Sequence, residues 1–142
     1  MTLRSRGPEG DPDEGGSQAR RVFEQFLAAF SAADLEALLS TFWPDALVWG
    51  TTMADLARSP DAVRSYFEPV GTRRGDERRA RLVEGSTLTP SASIGLISAT
   101  WLIEAGSGET EAVKKFRVSL AVANRGDTWR IVQFHNSPLP GA

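Results

Sequence analysis

Apolar residues change their spacing once along this chain, near residue 80, and that switch limits the folds open to it. Before it they recur every three to four residues, the period of a helix face. After it they dominate long runs with strand-like alternation. Val22, Phe23, Phe26, Leu27 and Phe30 make one amphipathic helix, starting near Ser17. Leu35, Leu38, Leu39 and Phe42 make a second, short one that Asp34 can cap. WPD at 43–45 stops that helix, with Asp45 in the turn, and ALVWGT at 46–51 reads as a short strand. Ser59-Pro60 is a helix start, a hydroxyl cap followed by proline at the first helical position. Val63, Tyr66, Phe67 and Val70 give this third helix its apolar face.

Four β-rich segments follow: ARLVEGSTLT, ASIGLISATWLIEA, AVKKFRVSLAVAN and TWRIVQFHNS. Turn signals TPSA, GSGE and NRGD separate them. In NRGD, Gly126 supplies the positive φ of a hairpin turn, so the RGD triplet is a turn and not an adhesion motif. Helices first and tightly joined strands afterwards predict an α+β domain whose largely antiparallel sheet curls over three N-terminal helices. Between the two halves, TRRGDERRAR alternates charges in sign and reads as a solvated connector.

Composition removes several function classes. The chain has no cysteine and a single histidine, so thiolate chemistry and a histidine-rich metal site are excluded, and no cofactor motif is visible. A net charge of -2 argues against a nucleic-acid partner. No apolar run approaches the ~18 residues of a membrane span, and the first residues lack the apolar core of a signal peptide, which predicts a cytoplasmic protein. Residues 1–16 hold glycine, proline and acids with almost nothing apolar, so a disordered tail is expected there and the domain at 17–142.

Three stretches carry a family resemblance. FSAADLEALLSTFWPDALVWGT, RSPDAVRSYFEP and WRIVQFHNSPLP resemble the acid-capped helix and first strand, the third helix and the last strand of the SnoaL-like branch of the nuclear transport factor 2 superfamily. The last stretch is also similar to the calcium/calmodulin-dependent kinase association domain. The resemblance spans about 17–140 and implies a cone-shaped domain whose curved sheet wraps a helix-lined pocket. It further implies a hydrophobic polyketide-type ligand, as in secondary-metabolite pathways that include enediyne biosynthesis. Acid-base cyclisation, isomerisation or dehydration would be the chemistry. A non-enzymatic association or ligand-sensing domain is the alternative, and the residues leave turnover open.

Strand alternation says which side chains could line such a pocket. Phe116, Val118, Leu120 and Val122 share one face of their strand. On the last strand Val132, Phe134 and Asn136 share one face, with Trp129, Ile131, Gln133 and His135 opposite. Large apolar groups on both faces predict that both are covered, one by the helices and pocket, the other by a second subunit in a homodimer. The expected ligand-binding set is Trp43, Trp49, Val63, Phe67, Trp101, Phe116, Val118, Leu120, Phe134 and Asn136.

The catalytic sets of the resembled ketosteroid isomerases and epoxide hydrolases are not evident. Phe23, Phe26 and Phe30 stand where an isomerase-like tyrosine would be sought, and the last two strands carry no acid except Asp127 in a turn. The catalytic candidates are therefore Tyr66, His135 and Asn136, with Asp55 as the most plausible acid near the pocket mouth. Glu104 and Lys114 fall at strand ends. Imidazole titrates near neutrality and suits proton transfer. Parity, however, puts Asn136 toward the pocket and His135 on the other face.

Overall fold

A computed structural model describes residues 11–75, 77–105 and 113–140. The order of elements is α1 (Glu14–Ser31), α2 (Leu35–Leu39), β1 (Phe42–Trp49), α3 (Pro60–Phe67), a 3-10 helix (Glu68–Thr72), β2 (Arg78–Ser91), β3 (Ile94–Ala105), β4 (Lys114–Arg125) and β5 (Thr128–Pro138). Five strands form one open sheet in the order β1-β5-β4-β3-β2. The three pairings among β2 to β5 are antiparallel, and β1 adds to β5 in parallel. The fold is thus the expected α+β arrangement, a curved and largely antiparallel sheet wrapped around N-terminal helices.

Local chemistry accounts for the element ends. The Asp34 carboxylate accepts from the Ala37 N–H at 3.0 Å and starts α2, while the Ser59 hydroxyl accepts from the Ala62 N–H at 3.2 Å and starts α3. Gly126 and Asp127 both have positive φ, 58° and 67°, as the two central residues of a tight β4–β5 hairpin require. The GSGE turn lies outside the described residues.

Helix α1 lies across the sheet and fills its hollow side with Val22, Phe23, Phe26, Leu27 and Phe30, all buried. It begins at Glu14, three residues before the expected domain boundary, and Gly15 and Gly16 are buried. The reason is a close crossing, which the tail's lack of apolar side chains hides. A Cβ on Gly95 would overlap the Gly15 carbonyl oxygen, and Gly16 N–H donates to Thr89 Oγ1 at 2.9 Å. At its other end, Ser31 Oγ donates to Leu27 O and accepts from Ala80 N–H, both at 2.9 Å, tying α1 to β2.

Two further expectations need correction. WPD does not end in a turn: Trp43, Pro44 and Asp45 belong to β1, whose register with β5 is irregular between Phe42 and Leu47. Proline is tolerated there because β1 is an edge strand with a broken ladder. On β5, Ile131 is not on the His135 face but fully buried with Phe134. Val122 pairs with Ile131 and Ala121 with Gln133, so Val132 is the extra residue of a β-bulge. A second bulge falls at Val83 on β2, between the Leu82–Trp101 and Glu84–Thr100 pairs. Such bulges bend a sheet, and here they curl it around α1.

Candidate functional site

A cavity of about 230 Å³ opens between α1, the segment from α3 through the 3-10 helix, and the bent ends of β3, β4 and β5. Its walls are mainly aromatic. Phe26 and Phe30 come from α1, Tyr66 and Phe67 from α3, Trp101 from β3, Phe116 from β4 and Phe134 from β5. Trp101 organises this wall. It meets Phe23, Phe26 and Phe30 edge-on at centroid distances of 6.1, 6.3 and 6.0 Å, and Phe116 stacks on it at 4.9 Å. Edge-to-face packing of this kind fixes ring orientation as well as burying area.

Four polar side chains, Thr51, Tyr66, Arg73 and Asn136, break the aromatic lining. The buried Asn136 accepts at its Oδ1 from the Trp101 indole N–H at 2.8 Å. An indole nitrogen only donates, so the atom facing it is the amide oxygen, and the Asn136 NH₂ is left over. Tyr66 Oη accepts from the Thr51 backbone N–H at 3.0 Å, with its ring where a Gly50 Cβ would otherwise stand. The Thr51 and Tyr66 hydroxyl oxygens also lie 3.5 Å apart, a contact in which either can donate, so this pair keeps a proton to offer to the cavity. Arg73, just past the 3-10 helix, lays its guanidinium over the Phe30 ring at 4.7 Å. Burial draws its pKa down, nearby Arg78 adds to that, and Glu77 opposes it.

Of the expected catalytic residues, Tyr66 and Asn136 meet at this cavity and His135 does not. His135 is exposed on the opposite face of the sheet beside Ser98, Arg117, Ser119 and Ser137. The β5 bulge lies before Phe134, so it moves Ile131 and leaves the alternation of Phe134, His135 and Asn136 intact. Of the expected ligand-binding residues, Phe67, Trp101, Phe116, Phe134 and Asn136 line the cavity. Val118 and Leu120 are buried core, deeper along β4 than the cavity floor. Trp49 ends β1, half-buried and paired in register with His135.

Trp43 and Val63 face a different cleft, of about 210 Å³. Trp43 serves as a clamp: its indole N–H donates to Ala123 O at 2.9 Å, and Arg125 and Arg130 lie over its ring at 5.2 and 4.9 Å. Asp45 beside it takes two hydrogen bonds from Arg125, at 2.8 and 3.2 Å. The hydrogen bond from Arg125 holds the Asp45 carboxyl below its usual pKa. Asp55 is exposed in the loop after β1 and does not line the cavity. Glu104 pairs with Arg79 and Arg81 at 3.6 and 3.9 Å, and Lys114 is exposed at the start of β4. Sequence reasoning missed Phe26, Phe30, Thr51, Ile103 and Arg73 as lining residues. The α1 pattern marks its phenylalanines as buried without saying that a cavity adjoins them, and nothing local singles out one arginine in a charged run.

Among the described residues no group of three or more acids or histidines is placed to hold a metal, and no helix is long and apolar enough to cross a membrane. The fold and cavity are those of a small pocket domain. The chain belongs to the SnoaL-like domain family, whose model matches residues 19–140. No curated protein matches it by sequence. Solved structures share its fold at low identity. A ketosteroid isomerase-like protein of Erwinia carotovora atroseptica is 15% identical, with a TM-score of 0.69 over 89% of this chain and 98% of that one. A Streptomyces avermitilis protein of the NTF2-like family, named for a proposed dehydratase activity, is 15% identical with a TM-score of 0.74 over 91% and 99%. A Xanthomonas campestris protein, named as a proposed calcium/calmodulin-dependent protein kinase II association domain, is also 15% identical. Its TM-score is 0.74 over 88% of each chain.

Proposed function

We propose that this protein binds a hydrophobic polyketide-type small molecule in its aromatic cavity, as a cytoplasmic homodimer serving secondary metabolism such as an enediyne pathway. One observation carries the reading: the cavity is walled by aromatic rings, and its polar lining supplies donors, from Asn136, Arg73 and the Tyr66–Thr51 hydroxyl pair. Donors aimed at a carbonyl stabilise the negative charge that develops on its oxygen when the adjacent carbon loses a proton. That enolisation is common to isomerisation, cyclisation and dehydration beside a carbonyl. No carboxylate or imidazole among the described residues lines the cavity, so the chain supplies the electrophilic half of such a step and solvent water or hydroxide takes the proton from carbon. The similarity to isomerase-like and dehydratase-named structures favours this chemistry by analogy of fold only.

The test uses tetralone, a flat neutral ketone with an exchangeable position beside its carbonyl. Tetralone is expected to quench the fluorescence of Trp101 and to exchange its α-hydrogens for deuterium faster in heavy water with the protein present. Tyr66→Phe should slow that exchange more than it weakens binding. Binding without accelerated exchange would leave a carrier or sensor. That second reading is favoured by the similarity to the protein named as an association domain.

A further inference from the structure

In the connector after the 3-10 helix Arg74, Arg79 and Arg81 are exposed while Arg73, Glu77 and Arg78 are half-buried, and of these charged residues Arg73 alone lines the cavity. It is half-buried, it lines the cavity, and its Nη1 is buried with no hydrogen-bond partner among the described residues. The neighbouring Arg78 takes Glu77, and Arg79 and Arg81 take Glu104, while no carboxylate among the described residues pairs with Arg73. A desolvated guanidinium donor is unfavourable unless an acceptor meets it. The lowered pKa of Arg73, caused chiefly by burial, agrees with this geometry.

The other polar groups of the cavity point the same way. The Asn136 oxygen accepts from the Trp101 indole, the Tyr66 oxygen accepts from the Thr51 N–H, and the Tyr66 and Thr51 hydroxyls lie 3.5 Å apart. Asn136 is left with its NH₂, and the Tyr66–Thr51 hydroxyl pair with a proton to donate. These donors, together with the Arg73 cation, suit an oxyanion better than a cation or a bare hydrocarbon. Stacking over Phe30 at 4.7 Å holds the guanidinium face against a ring. Its N–H edge is left to bond a carboxylate in plane, the geometry that arginine provides and lysine does not.

We propose that Arg73 is the anion-recognition residue of this cavity and that the ligand is a flat, apolar carboxylic acid, its carboxylate held by Arg73 with Asn136 or Tyr66 donating beside it. This rests on the pocket reading above and narrows its substrate class from hydrophobic molecules to hydrophobic acids.

The probes are cinnamate and cinnamamide, which share one flat apolar body and differ in charge. Calorimetric titration of the full chain is expected to show cinnamate binding roughly tenfold more tightly than the amide, the scale of a charge-assisted hydrogen bond. Arg73→Gln should erase that preference by weakening cinnamate far more than cinnamamide, and Arg73→Lys should restore part of it. Because the preference is read first in the unaltered protein, an Arg73→Gln variant that fails to fold does not remove the test. Equal binding of acid and amide would overturn the anion assignment and leave the pocket reading standing. A preference that survives in Arg73→Gln would overturn the role of Arg73. Absence of binding by either probe at millimolar concentration would remove the pocket reading, and this inference with it.

Discussion

Trp101 and Asn136 hold each other in place by one buried hydrogen bond, 2.8 Å long, at the junction of core and cavity. Asn136→Leu strips the acceptor from a buried indole N–H and is expected to cost roughly 1–3 kcal/mol, the penalty of an unpaired buried group. Trp101→Phe strands the amide oxygen and removes ring area as well. Because each single change leaves the other partner unsatisfied, the double variant should be less destabilised than the sum of the singles. Urea unfolding of the three proteins measures this; strictly additive losses would show that the bond contributes no coupling. His135→Gln, exposed on the far side of β5, should stay within about 0.5 kcal/mol of the parent and leave cavity binding unchanged. The opposition of Asn136 and His135 was legible from strand parity, because no bulge falls between Phe134 and Asn136. Arg73 was not. Its inward course depends on where a 3-10 helix ends and on a ring donated by α1, and neither is encoded in the charged run itself.

Elements were legible where a side chain acts on its own backbone, as with the Asp34 and Ser59 caps and the Gly126 turn. They were not where the cause lies in a distant strand. Pro44 reads as a stop until β1 is known to be an edge, and the Val132 bulge has no residue signature, since it settles a mismatch between the β4 and β5 ladders. The start of α1 was hidden for a related reason. Gly15 and Gly16 look like linker residues, yet they let the helix touch the sheet at Gly95. Gly95→Ala puts a methyl against the Gly15 carbonyl oxygen, and relief requires moving a helix and not a flexible side chain. The expected cost is about 1–3 kcal/mol, typical of an overpacked core. Thermal melts of Gly95→Ala and of a chain lacking residues 1–16 should both fall clearly below the parent. An unchanged melt for both would show that this crossing adds nothing to stability.

At the scale of the whole molecule, one face of the sheet is filled by α1 and the cavity, and the other faces outward. The β5 bulge takes Ile131 from that outer face, which leaves Arg117, Ser119, Gln133 and His135 exposed on it. Its apolar part is concentrated instead on β2 and β3. There Leu88, 62% exposed, and Leu96 are cross-strand partners above a shallow groove. An exposed leucine on an edge strand invites a second sheet edge or face to cover it. Light scattering at micromolar concentration is therefore expected to give about twice the chain mass of 15.4 kDa. Leu88→Glu should shift that mass to the monomer and lower the melting temperature only by the share that association contributes, because the side chain is solvated in the free chain. A monomer in the unaltered protein would remove the homodimer. A ring of many copies would move the balance from a pocket enzyme toward an association domain, because assembly and not the cavity would then account for the apolar surface.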